Sequence, residues 1–234
     1  MQIVLIPGLM NDGWVWRHQV GPLSRIAPVQ IACNDGCDSL VGMAARIVNG
    51  TVGRIAIAGH SMGGRIALEV FRMAPNRVAG LALLDTGVHG VREAELPGRR
   101  ELVEIAGRDG MRAVAADWMP QMLAETRRGD AELIEGITEM LGRCPAEAFA
   151  AQQAGMMARN DLTSLLGEIR VPTLVATGEQ DGWSSPAQHE EIAAAIPGAM
   201  LRIVPGAGHM MPVEDPTAAT DMLVEWAAQV KVAG

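Results

Sequence analysis

Residues 54–65 read Arg54-Ile55-Ala56-Ile57-Ala58-Gly59-His60-Ser61-Met62-Gly63-Gly64-Arg65. An apolar, β-rich run over 54–58 meets Gly-x-Ser-x-Gly, and a helical pattern with apolar positions three and four apart follows over 63–74. A serine at a sharp strand-to-helix turn takes up strained backbone angles, and glycines are needed where a Cβ would collide. The hydroxyl is then presented above a sheet at the positive end of a helix, where an alkoxide or oxyanion is stabilised. Ser61 is therefore the candidate nucleophile, and the turn predicts an α/β fold around it.

Outward from this turn the same rhythm recurs. Short apolar runs lie at 3–6, 29–33, 78–84, 173–177 and 200–204, each ending in or near Gly, Asp or Pro. They are apolar throughout, as expected of strands buried on both faces of a parallel sheet. Helical patterns lie between them at 39–49, 186–196 and 216–229. The alternation predicts a doubly wound, mostly parallel sheet. From 88 to 168 no strand is evident, only helical patterns punctuated by glycines and by Pro120 and Pro145. The expected organisation is a core of 1–87 and 169–234 with 88–168 inserted as a helical lid over the sheet edge where ligands bind.

A serine nucleophile needs a base, and the base needs a carboxylate to fix its tautomer. The run 200–204 is followed by Pro205-Gly206-Ala207-Gly208-His209, and the run 173–177 by Gly178-Glu179-Gln180-Asp181. Both residues fall past the carboxyl ends of strands, on the edge that carries Ser61. His209 is the expected base and Asp181 the expected acid. Asp85, which ends the run 78–84, competes for the acid role. His89, just beyond it, could contact substrate from beneath the lid, whereas His189, beside Glu190 and Glu191, reads as lying on a solvated face. The oxyanion donors are expected to be the backbone N–H groups of Met62 and of Leu9, the latter from the loop Pro7-Gly8-Leu9-Met10. Gly8, Met10, Trp14, Trp118, Trp183 and Met210 are the candidate pocket residues, because the aromatic and thioether side chains cluster near these loops and in the insertion. Aromatics make up only 3% of the chain, with no Tyr, so where the five Trp sit bears on the pocket.

Together these segments resemble the α/β-hydrolase superfamily. Leu5-Ile6-Pro7-Gly8-Leu9, Ala58-Gly59-His60-Ser61-Met62-Gly63-Gly64, Leu83-Leu84-Asp85-Thr86, Gly178-Glu179-Gln180-Asp181 and Gly208-His209-Met210-Met211-Pro212 follow the family's order and approximate spacing. The chain looks like small bacterial lidded esterase-type serine hydrolases, related to carboxylesterases, meta-cleavage-product hydrolases and the menaquinone-pathway enzyme that eliminates pyruvate. The resemblance implies a Ser61–His209–Asp181 triad and no cofactor. Pro7-Gly8 stands where many relatives have His-Gly, and the family's leading β-hairpin is missing because the chain opens on the strand of the oxyanion loop.

Composition narrows the alternatives. Hydrophobic residues at 49% and charged residues at 20% exclude a disordered chain. The net charge of −8, with basic pairs only at Arg99-Arg100 and Arg127-Arg128, argues against nucleic-acid binding. No apolar stretch approaches the ~20 residues needed to cross a bilayer, and the N-terminus shows no leader pattern. Cys33, Cys37 and Cys144 fit a reducing compartment as buried small hydrophobes and offer no metal-site spacing. The expectation is a cytoplasmic carboxylesterase, a monomer or homodimer, acting on small or medium hydrophobic esters without metal or cofactor. Two alternatives stand beside it: C–C bond hydrolysis or elimination on a carboxylate-bearing substrate, with Arg17, Arg99, Arg100 or Arg159 supplying charge, and a non-catalytic ligand receptor on the same fold.

Overall fold

A computed structural model describes residues 1–233. Six strands form one sheet: β1 (Gln2–Ile6), β2 (Val29–Ile31), β3 (Ile55–His60), β4 (Val78–Leu84), β5 (Thr173–Gly178) and β6 (Met200–Val204). Their order is β2-β1-β3-β4-β5-β6 and every neighbouring pair is parallel. The sheet is thus wholly rather than mostly parallel. The helices are α1 (Val20–Ser24), α2 (Leu40–Gly50), α3 (Met62–Met73), α4 (Leu96–Asp109), α5 (Met111–Met122), α6 (Ala131–Gly142), α7 (Ala146–Met157), α8 (Pro186–Ala195), α9 (Met211–Glu214) and α10 (Pro216–Ala233).

The chain runs from β1 outward to β2 and then back across the sheet through β3, β4, β5 and β6. Right-handed crossovers place helices on opposite faces for the two directions of travel. Accordingly α2 packs with α3, and α1 packs with α10. Strands β3 and β4 are buried at every position, as their apolar runs require. The edge strands β2 and β6 are not: the predicted burial on both faces fails for Val29–Ile31 and for much of Met200–Val204, because an edge has a neighbour on one side only. Cys33, just past β2, is exposed, and Cys37 and Cys144 are only partly buried, against the expectation of three buried thiols; all three are free. Trp226 on α10 fills the core at 0% exposure, its indole N–H donating to the Pro172 carbonyl. Among the described residues no helix is long and apolar enough to cross a membrane.

Between β4 and β5 lie α4 to α7, with no strand among them. Helices α4, α5 and α7 pack together, α6 packs on α5, and α7 reaches down to α2. Gly155 permits that approach: a Cβ there would meet the Ser39 and Asp38 backbone at 3.2–3.4 Å.

Because all strands are parallel, every loop at their carboxyl ends falls on one edge. The sequence direction reverses between β1 and β3, which opens a crevice there. Two glycines make that junction possible. A Cβ on Gly63 would lie 2.2 Å from the Ile6 carbonyl oxygen, and one on Gly59 would lie 2.2 Å from that of Gly63. Both obstacles are backbone. Gly63→Ala is therefore expected to cost about 3 kcal/mol or more and to lower Tm by roughly 6–12 °C in thermal denaturation. Gly107→Ala on α4, where a Cβ meets nothing, should be neutral or stabilising by up to about 1 kcal/mol.

Candidate active site

Ser61 caps the N-terminus of α3 with φ 56° and ψ −118°, a left-handed conformation that few side chains adopt. Its amide donates to the Leu84 carbonyl, and the Thr86 hydroxyl donates to its carbonyl at 2.6 Å, so the turn is held from the end of β4. The Ser61 hydroxyl lies 2.9 Å from His209 Nε2, and His209 Nδ1 lies 2.9 Å from Asp181 Oδ2. Asp181 Oδ1 accepts from the amides of Trp183 and Ser184 at 2.8 and 2.9 Å. Three strand ends thus bring together Ser61, His209 and Asp181 in one hydrogen-bonded line.

Electrostatics separate the two candidate acids. Burial alone would raise the Asp181 carboxyl, but the charge of His209, its hydrogen bond and the two amides hold it below the usual carboxylate range. Asp85 is fully buried with φ 48°. Its Oδ1 accepts from the Gly178 amide at 3.0 Å, while Oδ2 has no partner. Burial and then the negative charge of Asp181 push it well above its ordinary value, so its surroundings favour the neutral carboxyl over the carboxylate. His60 is also fully buried. Burial first, and the charge of His209 second, lower it to about 3, leaving it neutral. Because His60 is neutral, its 3.8 Å contact with Asp85 is not an ion pair. His60 Nε2–H donates to the His209 carbonyl at 2.8 Å, and Asn11 Nδ2 donates to its Nδ1 at 3.3 Å.

The His209 loop is also stitched to the inserted helices. The His209 amide donates to the Met122 carbonyl at 2.8 Å, while Glu214 accepts from the amides of Ala124 and Met210 at 2.8 and 2.9 Å. Trp183 packs 5.0 Å from the His209 ring and 4.9 Å, edge-on, from Trp118 of α5. On the opposite side the loop after β1 is tied down by Gln152 of α7, which accepts from the Met10 amide, and by Asn34, which donates to the Pro7 carbonyl. Gly8 lets this loop pass close by: a Cβ there would stand 3.1 Å from that of Ser61.

The cleft over Ser61 has two connected parts. A narrow part of about 70 Å³ is bounded by Leu9, Asn11, His60, Met62 and Met122, and a wider part of about 700 Å³ extends beneath α4. Trp118, Trp183, Met156 and Arg99 border both. His89 lines the wider part, where its backbone carbonyl accepts from Arg65 and Arg159. Four of the six proposed pocket residues, Gly8, Met10, Trp14 and Met210, do not line the cleft. Met10 and Met210 are buried beneath it, and Trp14 packs against Gly136 of α6 with the Arg17 guanidinium stacked 3.5 Å over its ring. Sequence proximity to a catalytic loop does not fix which way a side chain points. His189 is likewise not solvated. With Ile192, three residues on, it forms the inward face of α8, and its Nε2 accepts from the Thr86 amide at 3.1 Å. The sequence reading missed Arg65, although it lies one helical turn after Ser61 on α3 and so on the same side. Of the four arginines singled out beforehand, Arg99 and Arg159 border the wider cavity.

Residues 3–221 match the sequence profile described as the alpha/beta hydrolase family. The chain belongs to that family. This alpha/beta hydrolase is 32% identical over 170 residues to a Bacillus subtilis (strain 168) protein provisionally named 2-succinyl-6-hydroxy-2,4-cyclohexadiene-1-carboxylate synthase. That alignment covers 70% of the chain and 62% of the relative's own length. Among solved structures, a malate-bound thermophilic esterase from Thermogutta terrifontis superposes with a TM-score of 0.90 at 31% identity, covering 99% of this chain and 90% of the other. An enol-lactonase from Burkholderia xenovorans LB400 superposes with a TM-score of 0.86 at 25% identity, covering 97% and 91%.

Proposed function

We propose that this alpha/beta hydrolase is a carboxylesterase that works through a covalent acyl-enzyme on Ser61. The observation that carries the reading is the line from Ser61 Oγ to His209 Nε2 to Asp181, both links 2.9 Å long. His209 takes the Ser61 proton as the oxygen attacks the ester carbonyl, and Asp181 stabilises the imidazolium that forms. The amides of Leu9 and Met62, flanking Ser61 in the narrow part of the cleft, receive the oxyanion, each worth about 3–4 kcal/mol in the transition state. His209 then protonates the leaving alcohol and activates water for deacylation. Small or medium ester groups pack against Trp118, Trp183 and Met156, with 88–168 acting as the lid. Trp183 covers the His209 ring and limits water access. The likeness to the Thermogutta terrifontis esterase over nearly the whole chain supports ester chemistry. Free cysteines support residence in the cytoplasm.

A fluorophosphonate probe is expected to label the wild type at Ser61, and a nitrophenyl ester should release a stoichiometric burst of nitrophenol. Equal labelling of Ser61→Ala would overturn the assignment. A second reading uses the same triad for elimination or C–C cleavage on a carboxylate-bearing substrate, and the Bacillus subtilis relative favours it. It predicts turnover of a cyclohexadiene carboxylic acid in preference to nitrophenyl esters.

A further inference from the structure

The wider part of the cleft carries charge that the triad does not use. Four arginines, Arg65, Arg92, Arg99 and Arg159, border it against a single carboxylate, Glu95, in a chain whose net charge is −8. The donors of these arginines are spent very differently. Arg159 Nε donates to the His89 carbonyl, Nη1 to that of Met156, and Nη2 to Gly90 and to both Glu95 oxygens. It is a structural cation, 8% exposed, and it occupies Glu95. Arg99 donates to Glu95 Oε2 through Nε and Nη2, and to Gln153 Oε1 through Nη1. Arg65 makes one hydrogen bond, from Nη1 to the His89 carbonyl at 2.7 Å. Most of its five N–H donors thus have no protein partner among the described residues.

Arg65 also sits in an unfavourable field. Burial first, and then the positive charges of Arg159 and Arg99, lower its guanidinium to about 9, with Glu95 and the nearby Asp161 offsetting only part of this. It remains a cation at neutral pH, half-buried, with open donors facing a cavity of about 700 Å³ that leads to Ser61. A guanidinium with most of its donors open and no carboxylate bonded to it, beside two further cations, is a site whose cost an anion would offset.

We infer that the wider part of the cleft holds a carboxylate on the non-reacting end of the substrate, gripped by Arg65 with Arg99 beside it, so that the preferred ester is an acidic monoester. This rests on the serine-ester reading for the reaction but not for the binding. The substrate spans the cleft: its carbonyl lies at Ser61 in the narrow part, and its free carboxylate lies under α4 beside the Arg65 fork. Arg159 and Glu95 keep the site in shape without touching the ligand.

The test compares 4-nitrophenyl hydrogen adipate with 4-nitrophenyl hexanoate, which have the same chain length and differ in the terminal carboxylate. The wild type should favour the adipate monoester in kcat/KM. Arg65→Met should reduce that preference about 10- to 100-fold, chiefly through KM, with partial recovery in Arg65→Lys, which keeps the charge but not the fork. Arg65→Lys, with an unchanged thermal melt, guards against simple misfolding of the Met variant. A wild type without preference for the acidic ester, or a preference that survives Arg65→Met, overturns the proposal. Calorimetry of adipate on the Ser61→Ala protein separates this from the reaction assignment. Adipate binding that is lost on adding Arg65→Met supports the carboxylate site even if neither ester turns over, and no adipate binding defeats it even if Ser61 is the nucleophile.

Discussion

Ser61→Ala is expected to lower kcat for a nitrophenyl ester by roughly a millionfold, with His209→Ala comparably impaired and the double variant little worse than either alone. The residues act as one unit: without Oγ there is nothing for His209 to deprotonate, and without His209 the hydroxyl is a poor nucleophile at neutral pH. The residual rate should come from the Leu9 and Met62 amides and from binding. Ser61 Oγ has one hydrogen-bond partner, His209 Nε2, so its loss should shift Tm by no more than about 2 °C. Steady-state kinetics beside a thermal melt check both halves. A kcat within tenfold of wild type would sink the acyl-enzyme mechanism.

Substituting the two buried aspartates should give opposite results. Asp181→Asn is expected to lower kcat by about 10⁴, because an amide no longer fixes the His209 tautomer or balances the imidazolium. Asp85→Asn should leave kcat near wild type, since the surroundings of Asp85 disfavour its charged form and it touches neither His209 nor Ser61. Its effect falls on stability. The folded-state pKa of Asp85 is raised, so the unfolded chain ionises first as pH climbs. The favourable contribution is complete below the unfolded value and is lost as pH rises toward the folded one. Asn cannot ionise and can still accept from the Gly178 amide. Asp85→Asn should therefore be more stable than wild type at pH 7, by about 1.4 kcal/mol for each unit of the shift, and should converge with it below about pH 4. Melts from pH 4 to pH 8 read this directly. Loss of turnover in Asp85→Asn with retention in Asp181→Asn would exchange the two roles.

Much of the candidate site was legible because its signals are local. The elbow around Ser61 is written in six adjacent residues, since strand, strained turn and helix must follow one another without a gap. Asp181 and His209 were legible one step further out, because a parallel sheet puts all carboxyl-terminal strand ends on one edge. The sequence favours Asp181 over Asp85, but both end strands and both are buried, so the contact with His209 Nδ1 and the fields around the two carboxyls are what separate them. Direction was hidden as well. Trp14 and Trp183 each lie just past a catalytic loop, yet one packs on α6 and the other against His209. His189 among glutamates read as solvated, although its spacing to Ile192 already marked an inward face.

The sequence by itself determined the doubly wound sheet, the elbow and the residues able to act as base and acid, because hydrophobic period and turn chemistry are set by neighbours along the chain. Only the tertiary structure decided which carboxyl is favoured as the anion, which aromatics reach the cleft and that Arg65 stands there with donors to spare. Those properties depend on burial, on distances between residues more than twenty positions apart and on the field of neighbouring charges, and none of them exists before the chain is folded.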